Sequence, residues 1–205
     1  MTEQKTEDHI IMLSNARVAF PEFFEAKQVG GKGTAAFSGC FLLPPDHPDV
    51  VKVKTGIAAV AKAKWPQEFS TILPVLIAGD KVCLHNGDLK ANYDGFPGNL
   101  YVSARGKMRP LVIAQDRTPL TAADGKPYSG CYVNVQIALW AQDNQYGKRV
   151  NAQIRGVQFL RDGDAFGGGS VAQADEFEPV DDSADADAPV ADGWGDMLGD
   201  DDIPF

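Results

Sequence analysis

The stretch SGCYVNVQIALWAQ, Ser129 to Gln142, decides the fold. Successive side chains of a strand point to opposite faces, so alternate residues can be sorted into two rows. One row is Cys131, Val133, Val135, Ile137 and Leu139, wholly apolar, and belongs in a core. The other is Tyr132, Asn134, Gln136, Ala138 and Trp140, a polar face that holds two large aromatic rings.

Working outward, Asn99 to Met108 repeats the arrangement. Leu100, Val102 and Ala104 face inward, Tyr101, Ser103, Arg105 and Lys107 face the other way, and Arg109 follows. In Arg149 to Arg161, Asn151, Gln153 and Arg155 alternate against Val150, Ala152 and Ile154, with Lys148 and Arg149 at its head. Three further strands are expected: His9 to Phe20, ended by Pro21; Thr34 to Leu43, ended by Pro44-Pro45; and Pro110 to Asp116. One stretch changes period. From Asp49 to Trp65, Val50, Val53, Ile57, Val60 and Ala61 recur at helical spacing, between Pro48 and Pro66. Gly79 to Gly98 reads as loop, and Asn144 to Lys148 as a hairpin connection. Six short strands and one helix predict a small closed or partly closed barrel.

Charge divides the chain in two. Residues 1–161 hold all 19 Lys and Arg against 14 Asp and Glu, whereas residues 162–205 hold the other 14 acids and no base. The net charge of −9 therefore conceals a basic body. The segment after 161 is rich in Gly, Ala, Asp and Pro and has no periodicity that would bury a face. It reads as a disordered acidic tail, with residues 1–161 as the folded domain.

Function classes narrow quickly. No apolar run approaches the roughly 20 residues of a membrane-spanning helix. Cys40, Cys83 and Cys131 form no CxxC pair, which predicts reduced thiols and a cytoplasmic setting. GxxxxGK[ST], GxSxG and HExxH are absent. His9, His47 and His85 are isolated, and Asp80, Asp88, Asp94 and Asp116 sit at turns, where Asp is common for conformational reasons. A non-catalytic protein with no cofactor and no metal is expected.

Aromatics interleaved with Arg and Lys on a strand face suit single-stranded nucleic acid. Bases stack on rings for about 1–3 kcal/mol each while cations follow the phosphates. The expected stacking platforms are Tyr101, Tyr132 and Trp140. Arg105, Lys107, Arg109, Lys148, Arg149 and Arg155 would meet phosphates, and Asn134 and Gln136 would reach base edges. Packing of the rings under a loop or the helix is the competing reading of this face.

The chain ends Asp200-Asp201-Asp202-Ile203-Pro204-Phe205, carboxylates followed by an apolar tip, a portable ligand for a pocket rimmed by basic groups. DDDIPF resembles the acidic tip of bacterial single-stranded DNA-binding proteins, which recruits replication and repair enzymes. The segments GNLYVSARGKMRPLVI and SGCYVNVQIALWAQDNQYGKRVNAQIRGVQFLRDGDAFGGG are similar to a family of phage-encoded single-stranded DNA-binding proteins with an oligonucleotide/oligosaccharide-binding (OB) fold. The resemblance implies a mainly β protein: a single OB-type antiparallel barrel with one inserted α-helix and a disordered tail. It implies coating of single-stranded DNA in phage replication, recombination and repair, with Asp200 to Phe205 docking partner enzymes in a host cytoplasm. An acidic-tailed adaptor that binds no DNA is the alternative, and a homo-oligomer is left open.

Overall fold

The computed structural model describes residues 9–28 and 33–167. Strand β1, His9–Lys27, is the spine of the sheet. Its buried residues change phase, from Ile11 and Leu13 to Ala16 and Val18. The pairing skips from Leu13↔Val135 to Ala16↔Val133, and Asn15 adopts φ 51 in the skipped pair. This is a β-bulge, an extra residue that bends a strand and increases its twist. A second irregularity lies between Ala19 and Glu22 and contains Pro21. The strand therefore runs past the proline expected to end it, because a bulge has no ladder hydrogen bond for proline to break.

The remaining strands are β2 (Ala36–Leu43), β3 (Leu84–Asn86), β4 (Leu100–Gly106), β5 (Leu111–Ile113), β6 (Tyr132–Asn144) and β7 (Gly147–Arg161). The sheet order is β3-β4-β2-β1-β6-β7-β5, and an additional β4–β7 pairing closes β1, β2, β4, β7 and β6 into a five-stranded barrel. Four of its junctions are antiparallel. The closing one is parallel, through Ala104↔Ala152. Inside stand Leu13, Val18, Phe41, Val102, Val133, Val135, Ile137, Val150 and Ile154, all nearly inaccessible to solvent. The apolar row of β6 is thus the core face. This is an OB-type barrel.

Among the described residues there are two α-helices, where the sequence suggested one. Helix α1, Pro48–Lys64, buries Val50, Val53, Ile57, Val60 and Ala61 against β1 and β6. Gly56 lets it approach closely, since a Cβ there would lie 2.7 Å from Ile11 Cδ1 and 2.8 Å from Leu139 Cδ1. Helix α2, Phe69–Ala78, carries Pro74 inside it and no charged residue, and among its side chains only Leu76 is fully buried. An internal proline, disfavoured in a helix interior, and the lack of any charged residue to mark a solvent face hide this helix in the sequence. No helix among the described residues is long and apolar enough to cross a membrane.

The segment expected to be loop, 79–98, is also more ordered than its turn residues imply. It holds β3, paired with β4 through His85↔Tyr101, and a 3-10 turn over Gly87–Lys90. Its Phe96 packs with Ala19, Leu42 and Tyr101 in a small second cluster on the outside of the barrel. The tail was expected to be disordered from residue 162, but residues 162–167 are held against the barrel, with Lys126 Nζ 3.0 Å from Asp162 Oδ2 and the Phe166 N–H donating to the Ser129 carbonyl at 3.0 Å. The rest of the tail and its Asp200–Phe205 tip lie outside the described residues.

Candidate nucleic-acid interface

An open groove of about 1070 Å³ crosses the parallel β4–β7 seam. Its floor is Ser103, Gly106, Ala152 and Gln153, and its walls come from three other places. Thr34 flanks β2, Lys81 to His85 lead into β3, and Trp140, Tyr146 and Arg149 belong to the β6–β7 hairpin. A smaller cavity of about 300 Å³ adjoins it and shares Met108, Trp140 and Gln153, so the two form one depression around the Trp140 ring. Arg109 and Arg155 line this second part.

Six of the eleven expected body residues meet here: Arg105, Lys107, Arg109, Trp140, Arg149 and Arg155. Trp140 is 40% exposed, a large apolar ring left in water. Arg105 donates to the Thr34 carbonyl at 2.6 Å, which fixes its guanidinium at the rim. Among the described residues, Lys107, Arg109, Arg149 and Arg155 make no ion pair, and the one carboxylate on the groove, Asp80, is engaged by His85 Nδ1 at 2.6 Å. Burial pushes the Cys83 thiol up to about 12, so the cysteine on this surface stays protonated. The depression offers cations, an open indole and amides. No group of three or more His, Cys, Asp or Glu that could hold a metal occurs among the described residues.

The other five are placed elsewhere. Tyr101 was expected on the open face and is only 5% exposed. It does lie outside the barrel, but His85 stacks on it at 4.8 Å, Phe96 meets it edge-on at 5.1 Å and Lys90 Nζ lies 4.8 Å from its ring. The covering segment makes it a packing residue beneath His85. Tyr132 stands at the opposite end of β6 from Trp140, with the Arg161 guanidinium 3.4 Å from its ring centroid. Asn134 has both ends of its amide engaged, accepting from Asn15 N–H at 3.0 Å and donating to Gln158 Oε1 at 3.1 Å. Gln136 is half-buried midway along β6, between Met12 and Gly156. Lys148 is held by Glu68 Oε2 at 2.6 Å.

Several groove residues escaped the sequence reading. Tyr146 is 75% exposed at the tip of the β6–β7 hairpin, where Asn144 Oδ1 accepts its N–H at 2.9 Å and Gly147 takes φ 96. Its signal was available: an aromatic beside the turn glycine, followed by Lys148 and Arg149. Lys81 and His85 had none, because their position depends on the distant pairings Val82↔Val150 and Leu84↔Val102.

Fold and groove together define an OB-type barrel with an open basic and aromatic cleft, the architecture in which such barrels take oligonucleotides or oligosaccharides. The family described as "Enterobacter phage Enc34, ssDNA-binding protein" matches residues 9–188, and the chain belongs to it. A protein of Acyrthosiphon pisum secondary endosymbiont phage 1, described as "Putative protein p50", is 48% identical over 173 residues, 83% of this chain and 93% of that protein. Among solved structures, the single-stranded DNA-binding protein of bacteriophage Enc34 in complex with ssDNA is similar, with a TM-score of 0.67 and 23% identity over 80% of this chain and 96% of that one. The single-stranded DNA-binding protein encoded by bacteriophage T7 shares the fold at a TM-score of 0.51 and 14% identity, over 87% of this chain and 98% of that one. The family is thus described by binding of single-stranded DNA.

Proposed function

We propose that the chain binds single-stranded DNA across the β4–β7 seam, coating and protecting it during phage DNA replication, recombination and repair. Trp140 and Tyr146 stack on bases, while Lys81, Arg105, Lys107, Arg109, Arg149 and Arg155 neutralise phosphates. The observation that carries this reading is the exposed Trp140 ring, set between two joined cavities whose cations are free of ion pairs among the described residues. Residues 1–161 form the binding domain in this reading. Asp200 to Phe205 recruit partner enzymes, and the twelve acids beyond residue 167 compete with DNA for the groove.

Titration with oligo(dT) and with duplex of equal length, read by tryptophan fluorescence, tests the reading. Quenching by the single strand alone is expected, and Trp140→Ala should weaken binding by about 1–3 kcal/mol. No response to either DNA would leave the adaptor reading in its place. Removing residues 168–205, which leaves the ordered strap up to Gly167 in place, should raise affinity at low salt, where charge competition is strongest.

A further inference from the structure

A second aromatic and cationic site lies at the other end of the barrel. Phe166, Arg17, Tyr132 and Arg161 form a column. The Arg17 guanidinium lies 4.3 Å from the Phe166 centroid and 5.8 Å from that of Tyr132, and Arg161 covers Tyr132 at 3.4 Å. Arg17 is anchored by the carbonyls of Gly130 at 2.9 Å and Asp164 at 2.7 Å. The strap that carries Phe166 is itself tied down, through Phe166 N–H to the Ser129 carbonyl at 3.0 Å and Gly167 N–H to Asp94 Oδ2 at 2.9 Å. Three layers are therefore fixed from below. The fourth, Arg161, donates from Nη2 to Asn15 Oδ1 at 3.1 Å and is otherwise exposed, with its guanidinium plane turned outward.

Arg161 reaches this face because of two irregularities in β7. The register passes from Ile137↔Ile154 to Gln136↔Gly156, leaving Arg155 extra, and from Val133↔Phe159 to Tyr132↔Arg161, leaving Leu160 extra. Each skip reverses the alternation, so Gln153, Gly156, Gln158 and Arg161 share the outer face. Between Trp140 and Tyr132 that face spans eight residues of strand, roughly 26 Å. Its side chains include Ile10, Met12, Asn134, Gln136, Ala138, Gln153, Arg155 and Gln158, with no carboxylate among them.

From this geometry we infer that Arg161, backed by Tyr132, is a second contact point for single-stranded nucleic acid, reached only by strands that extend from the groove along the outer face of β6 and β7. The inference rests on the groove reading above. A base stacks on the guanidinium plane while the same cation meets a phosphate.

Two lengths of oligo(dT) test it, about 5 and about 16 nucleotides, the span that single OB barrels cover. With the full-length chain, Arg161→Ala should lower affinity for the longer strand on the order of tenfold and leave the shorter unchanged. Arg161→Lys keeps the charge and loses the plane, so it should retain the salt dependence of the longer strand without regaining its full affinity. Phe166→Ala, which removes the base of the column, should lie between wild type and Arg161→Ala. Equal effects of Arg161→Ala on both lengths, or none on the longer while Trp140→Ala weakens both, would overturn the second site and leave the groove intact. Failure of the wild-type chain to bind either length would remove both.

Discussion

Lys148 Nζ lies 2.6 Å from Glu68 Oε2 and 5.5 Å from the Trp65 ring centroid, so the cation at the head of β7 is committed to the helices. Next to it, Arg149 lines the groove. Trp65 Nε1 donates to Asp143 Oδ2 at 2.8 Å, a second tie between the junction of α1 and α2 and the base of the β6–β7 hairpin. Two adjacent basic residues therefore have different work. Arg149→Ala should reduce the slope of log affinity against log salt by about one. Lys148→Ala should leave that slope unchanged and lower the melting temperature slightly. Equal slopes for the two variants would refute this division.

The two tyrosines Tyr101 and Tyr146 form a second contrasting pair. Tyr101 is packed by His85 and Phe96, and truncating a buried aromatic to alanine costs about 3–5 kcal/mol. Tyr101→Ala should therefore be read in the urea midpoint. Tyr146→Ala, at an exposed hairpin tip, should keep the midpoint and weaken oligo(dT) binding by about 1–3 kcal/mol.

Asp49 sets an acid limit on stability. It is 1% exposed in the first turn of α1, accepts the Ser14 N–H at 2.7 Å, and has Lys52 Nζ at 2.5 Å. Burial pushes its carboxyl up, but the Lys52 ammonium and the Ser14 N–H outweigh it and hold the group below the usual carboxylate range. A pKa lower in the folded than in the unfolded chain stabilises fully above the unfolded value, about 3.9, and that gain fades as pH falls through the folded value. Asp49→Asn keeps an acceptor for Ser14 and loses the charge. Urea midpoints measured from pH 7 to pH 3 should be lower for the variant at neutral pH and should converge with wild type in acid.

Thiol chemistry should report folding. Burial pushes Cys83 up to about 12 and Cys131 up to about 11, and both side chains are buried. At pH 8 iodoacetamide should leave these two unmodified in the native protein and label them in urea. Mass spectrometry of peptides spanning each residue checks this, and rapid native labelling at Cys131 would contradict the packed core.

Local alternation made the barrel core legible. Val133, Val135, Ile137 and Leu139 of β6 could be sorted by period two alone, and all four are buried. Regularity is also where that reasoning stops. The extra residues at Asn15, Arg155 and Leu160 shift the phase of their strands, and nothing in composition marks them. Helix α2 escaped because Pro74 sits inside it and no charged residue marks its solvent face. Tyr101 has the same alternation signal as Ser103 and Arg105, yet β3 and Phe96 cover it through pairings that sequence spacing does not reveal. In the groove, the cations on or beside recognisable strands were visible, whereas Lys81 and His85 arrive by long-range contact.

One strand, β7, pairs with β6, β5 and β4, and the last of these pairings closes the ring. It is also the last of the barrel strands to be synthesised. A nascent chain lacking it has unsatisfied edges on β4 and β6 and a core open along one side. The ribosome must therefore release residues up to Arg161 before the ring can shut, and the sequence separation of its closing partners makes that closure a slow, non-local event. The domain matures after translation of its last strand, as an arch does when the final stone is set.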